Sequence, residues 1–138
     1  MTFVKQEDPM GCGIACVAFV LGISYKEATK LFALPEKRKA LGYRSSDLRE
    51  ALKRGSYDSF SRYVGRLDDT RVEIGDIVYV KKCKMFPSGH YLVKINGGYM
   101  DPFINMGEVV GDYTRAKAGK RFPLKERITM ITRKGVAI

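Results

Sequence analysis

Histidine is the side chain whose ordinary titration falls near neutral pH, and this chain of 138 residues contains one, His90. It lies in the run GHYLVKINGGYMDPF, eleven residues before Asp101. Near the N-terminus, QEDPMGCGIACVAFVLG carries Gln6 and Cys12 with five residues between them. A thiol, a base, an acid to orient the base and an amide donor are the parts that acyl chemistry through sulfur needs.

Each residue has a plain alternative. Cys12 follows Pro9-Met10-Gly11 and precedes an apolar helical run, which places its thiol at a helix start. Unpaired N–H groups and the positive end of the dipole favour negative charge on sulfur there. Gly11 and Gly13 leave room for a substrate backbone on either side. The alternative is a buried structural thiol, since free cysteine is among the most buried residue types. Cys16 lies one turn deeper among Ile14, Ala15 and Val17 and is expected in the core. Gln6 can place an amide N–H beside the thiol and, with the backbone N–H of Cys12, form an oxyanion hole; otherwise it is a solvated side chain. His90 and Asp101 flank Asn96-Gly97-Gly98, a strong tight-hairpin signal, so pairing about that turn brings the carboxylate toward the imidazole. Without that pairing His90 is a surface residue and Asp101 caps the Asp-Pro turn.

The elements that must hold these residues read as helices first and strands second. Cys12–Leu21 is apolar on nearly every face, as a central buried helix is. Ser24 opens a capping box with Glu27, leading into EATKLFAL and stopping before Pro35. A third helix is expected from Ser46 through DLREALKR to Gly55, with Leu48, Ala51 and Leu52 on its apolar face. Strands are expected at Ile77–Val80, Tyr91–Ile95, Tyr99–Asp101 and Arg127–Thr132. The stretch from Phe103 to Pro123 reads as a long loop, and nothing between Tyr43 and Gly75 beyond the third helix carries a motif. The expected class is α+β, with N-terminal helices packed on a C-terminal antiparallel sheet.

Composition narrows the setting. The length suits one domain with its own core. No positively charged leader opens the chain, and its longest apolar run, Cys12 to Ile23, falls short of the about 20 residues that a membrane span needs. Three cysteines are too few for a disulfide framework, so a reducing, cytoplasmic location is expected. The net charge is +10, concentrated in Glu36–Lys39, Lys81–Lys84, Arg115–Arg127 and Arg133–Lys134. Such a field attracts acidic proteins, anionic surfaces or nucleic acid. No recognised nucleic-acid motif accompanies the charge, so that partner is not favoured. Oligomeric state leaves no sequence signal.

The ordered set Gln6-x5-Cys12-Gly13-x2-Cys16, then Gly89-His90-Tyr91-Leu92-Val93, then Asp101-Pro102 resembles the bacteriocin-processing peptidases. These are papain-like cysteine peptidases that remove double-glycine leader peptides and are often fused to an export transporter. The resemblance implies Cys12 as nucleophile, His90 as base, Asp101 as orienting acid, Gln6 as oxyanion-hole donor, a peptide or protein substrate, and no cofactor or metal. No transmembrane or nucleotide-binding segment follows, so a single free-standing domain over residues 1–138 is expected. Three other functions remain: a zinc site from Cys12, Cys16, Cys83 and His90; a binding or regulatory protein that keeps the fold and takes an acidic partner; and a thiol acyl transferase or deamidase, which shares the acyl-enzyme.

Overall fold

The computed structural model of the chain describes residues 4, 6–8, 10–33, 42–64, 71–81, 89–96, 98–102 and 128–133. The expected helix stop at Pro35, the loop from Phe103 to Pro123, Cys83, and the basic stretches Glu36–Lys39, Lys82–Lys84, Arg115–Arg127 and Lys134 lie outside the described residues.

Helix α1 spans Cys12–Leu21, and every residue from Gly13 to Phe19 is buried. A run with no polar face can only be satisfied by neighbours on all sides, and α1 meets two helices and the sheet. It stops at Gly22, whose φ of 70° is the left-handed conformation that closes a helix end. There the Gly22 and Ile23 N–H groups cap the Phe19 and Ala18 carbonyls.

Helix α2, Tyr25–Thr29, has the expected capping box: the Glu27 N–H donates to Ser24 Oγ and the Ser24 N–H to Glu27 Oε1. It is shorter than the sequence suggests. Thr29 Oγ1 donates to the Tyr25 carbonyl at 2.9 Å, competing for the acceptor its own N–H would use. From Lys30 to Phe32 the N–H groups bond three residues back instead of four. That tighter winding carries Phe32 into the core against Tyr43, with ring centroids 4.7 Å apart.

Helix α3, Ser45–Arg54, starts one residue before the expected Ser46, because the Asp47 carboxylate accepts the Arg44 N–H at 2.8 Å. Leu48, Ala51 and Leu52 are its buried face, as expected. Gly55 ends it, though not by a left-handed turn: Ser56 takes that conformation, at φ 64°. Gly55 is small because a Cβ there would lie 2.7 Å from Leu21 Cδ1 of α1.

Five strands form one sheet: β1 Ser59–Val64, β2 Ile77–Val80, β3 His90–Ile95, β4 Gly98–Met100 and β5 Ile128–Arg133, in the order β1-β5-β2-β3-β4. All four pairings are antiparallel. The class is α+β, as expected. Strands β2 to β5 match the expected strands to within two residues. Strand β1 carries no local signal: SFSRYV has no run of alternating apolar residues, and its partner β5 lies more than sixty residues away. On the core side Ile77, Tyr91, Val93, Met100 and Ile131 pack with Ile14, Val17 and Leu48. Among the described residues, no helix is long and apolar enough to cross a membrane.

Candidate active site

Cys12 is the first residue of α1 and is half-buried. The first bond of the helical ladder runs from the Ala15 N–H to the Gly11 carbonyl, so the N–H groups of Cys12, Gly13 and Ile14 precede it. Gly11 supplies no side-chain cap, and no acid stands in the first turn. The positive end of α1 is therefore left for the thiol itself.

His90 opens β3 directly after Gly89, whose φ is 79°. The Tyr79 hydroxyl occupies the space where a side chain at 89 would stand. The hairpin register pairs Val93 with Met100, and one further step sets Asp101 opposite Leu92. Asp101 is thus a diagonal neighbour of His90 on the same side of the ribbon, within reach of an imidazole. The contact forms: His90 Nε2 and Asp101 Oδ1 are 2.6 Å apart, with both residues buried. Such a short, charge-assisted bond fixes the ring and its tautomer.

The thiol of Cys12 hydrogen-bonds the same imidazole. Since Nε2 serves Asp101, Nδ1 is the nitrogen left for sulfur. Burial alone pulls the His90 pKa down. The bonds to Asp101 and Cys12, with the negative charge each can carry, outweigh burial and lift it to about 9. Near neutral pH the ring is therefore an imidazolium.

Gln6 is almost wholly buried. Its backbone N–H donates to the Pro102 carbonyl at 3.1 Å, tying it to the residue after Asp101. Its side-chain Nε2 donates to the Asp8 carbonyl at 2.9 Å. The Gly11 N–H donates to that same carbonyl at 3.0 Å, so the Gln6 amide nitrogen and the backbone leading into Cys12 lie within about 6 Å of each other.

Asp8 and Tyr25 are site-supporting residues that the sequence did not reveal. The Tyr25 hydroxyl donates to Asp8 Oδ2 at 2.7 Å, and burial followed by this bond raises its pKa. One residue, Asp8, thereby joins α2, the Gln6 amide and the start of α1. The Asp-Pro step at 8–9 signals a turn, but nothing in the sequence couples it to Tyr25 seventeen residues on.

One expectation is corrected here. The room at Gly11 and Gly13 is not open to substrate: the Tyr25 hydroxyl fills the first, and a Cβ at Gly13 would lie 2.9 Å from Leu48 Cδ1. Both glycines serve close packing. Cys16 is fully buried, as expected, and burial, then the charges of Cys12 and Asp101, push its thiol well up. The four-ligand zinc set needs Cys83, which lies outside the described residues. Among those described, no three His, Cys, Asp or Glu side chains could hold a metal. Comparison of the chain with protein-family models and with curated proteins finds no match.

Proposed function

We propose that this protein is a cysteine peptidase of papain-like fold that cuts a peptide bond through a Cys12–His90–Asp101 triad, resembling the bacteriocin-processing peptidases. One observation carries the reading: a buried imidazole shared between a carboxylate at 2.6 Å and a thiol at the start of a buried helix. The chain order of helices followed by an antiparallel sheet agrees with it, and the reading includes a reducing, cytoplasmic location.

The steps follow from the parts. Cys12 Sγ, having given its proton to His90 Nδ1, attacks the substrate carbonyl carbon and a C–S bond forms. The Gln6 amide and the Cys12 backbone N–H hold the oxygen's new negative charge. As the carbonyl re-forms, the C–N bond breaks and the imidazolium hands its proton to the departing amine. Water then adds to the thioester. The now neutral His90 takes its proton, and Sγ leaves as thiolate with the carboxylate product released. Asp101 keeps the ring aimed throughout and stabilises its charge.

An activity-based thiol probe with mass-spectrometric mapping tests the assignment. Cys12 is expected to label faster than Cys16 and Cys83 at neutral pH, and Cys12→Ala to end turnover of a peptide library. Equal labelling of the three thiols, or turnover that survives Cys12→Ala, overturns the reading.

A further inference from the structure

Three strands away from His90, the sheet carries a residue whose exposure has no role in the core. Tyr63 of β1 is 59 % exposed. The register sets it opposite Thr129 of β5, Thr129 opposite Tyr79 of β2, and Tyr79 opposite Tyr91 of β3. Directly opposed residues in antiparallel strands share a face, so the four form one row across the sheet. Along it exposure falls from Tyr63, through half-buried Thr129 and Tyr79, to Tyr91 at 4 %. The row is a ramp from solvent toward the thiol. At its inner end Tyr79 packs on Tyr91, ring centroids 4.9 Å apart, and its hydroxyl sits over Gly89 beside His90. Burial and then the nearby charge of Cys12 raise the Tyr79 pKa, in keeping with that placement.

Among the described residues, one cation stands over the outer end. Lys81 follows Tyr79 by two residues and so lies on the same face; it is exposed, with Nζ 5.9 Å from the Tyr63 ring centroid. Among the described residues it has no carboxylate partner. An aromatic floor with, among the described residues, one ammonium above it suits an extended peptide carrying one carboxylate. A nucleic-acid strand would call for a series of cations along its phosphates.

We infer that Tyr63, Thr129 and Tyr79 form the floor of a substrate-binding strip, and that Lys81 above it selects peptides with an acidic side chain at a fixed distance from the cut bond. Adjacent strands are about 4.8 Å apart, so Tyr63 lies about 14 Å from Tyr91, and an extended peptide covers that in about four residues. The acidic residue is accordingly expected three or four positions from the bond attacked by Cys12. This inference rests on the peptidase reading and names its substrate class.

The test is a quenched octapeptide library in which one position at a time is fixed as Asp/Glu, Lys/Arg or Ala. The wild type is expected to show kcat/KM about tenfold higher for the acidic set at one position three or four residues from the cut. Lys81→Glu should invert that preference, and Tyr63→Ala should raise KM several-fold with kcat little changed. Iodoacetamide should alkylate Cys12 at the wild-type rate in both variants, showing the triad intact. Cleavage indifferent to charge at every position, or an acidic preference that Lys81→Glu leaves in place, overturns the inference alone. No cleavage of any set by the wild type defeats the peptidase reading and the inference with it. Oligo(dT) binding lost in Lys81→Glu, without peptide preference, assigns the strip to nucleic acid and also overturns it.

Discussion

Two thiols on one helix, four residues apart, have opposite characters. Cys12 is half-buried at the first turn of α1, beside unpaired N–H groups and an imidazole held by Asp101. Cys16, one turn further in, is wholly buried among Ile14, Ala15 and Val17, where desolvation disfavours its thiolate. The residue type is the same and so is the helix. On the proposed reading, reactivity is set by the helix terminus and by what the sheet and the N-terminal segment bring to it.

The comparison breaks first at the group that differentiates the two. Asp101→Asn removes the charge that helps hold the His90 proton while keeping a side chain of the same shape. Turnover at Cys12 is expected to fall by about 10²-fold. The pH profile gives the sharper readout. With Asp101 in place, the imidazolium persists to about pH 9, so the alkaline limb of kcat/KM belongs near there. In the variant that limb moves to lower pH. Stability follows by linkage: the folded His90 pKa is raised above the ordinary 6.5, so its contribution is complete below 6.5 and is lost as pH rises through about 9. Asp101→Asn should flatten that decline. An alkaline limb that stays put in the variant, with stability unchanged, removes Asp101 from the site.

His90 and Asp101 were legible because the signals are local. Asn96-Gly97-Gly98 fixes a hairpin, and the hairpin fixes which residues are neighbours. The Ser24–Glu27 capping box and the Leu48, Ala51, Leu52 face are legible for the same reason. What the sequence hid is held together through space. Strand β1 exists because β5 pairs with it from far along the chain. Gly11 and Gly13 suggested open space, but the side chains that fill it come from Tyr25 and Leu48 on other elements. The early end of α2 depends on a Thr29 hydroxyl bond that competes with the backbone.

A second variant tests whether the first turn of α1 depends on a brace that the second turn lacks. Tyr25→Phe deletes the hydroxyl bonded to Asp8 and leaves the ring in the core. If Asp8 positions the Gln6 amide and the Gly11–Cys12 backbone, the oxyanion donors lose their alignment but the thiol–imidazole contact is untouched. The expected loss is about tenfold in kcat with little change in KM, less than the 10²-fold or more seen when an oxyanion donor is removed outright. Alkylation of Cys12 by iodoacetamide, which needs no oxyanion hole, should proceed at the wild-type rate. Equal losses in both assays would make Tyr25 a structural residue only.

The smallest effect on turnover belongs to the other thiol. Cys16→Ala removes a buried sulfur from a helix packed on all sides, leaving a void about the size of a methyl group. The expected cost is about 1–2 kcal/mol of stability, from the lost burial and the residual cavity. For a chain of this length that lowers Tm by about 3–6 °C. Turnover should stay within about twofold of wild type, since neither His90 nor Asp8 bonds to Cys16. Calorimetry and the library assay on one preparation measure both. A Cys16→Ala protein that keeps its Tm but loses turnover would reverse the roles of the two thiols, because it would place the chemistry at the buried turn and the packing at the half-buried one.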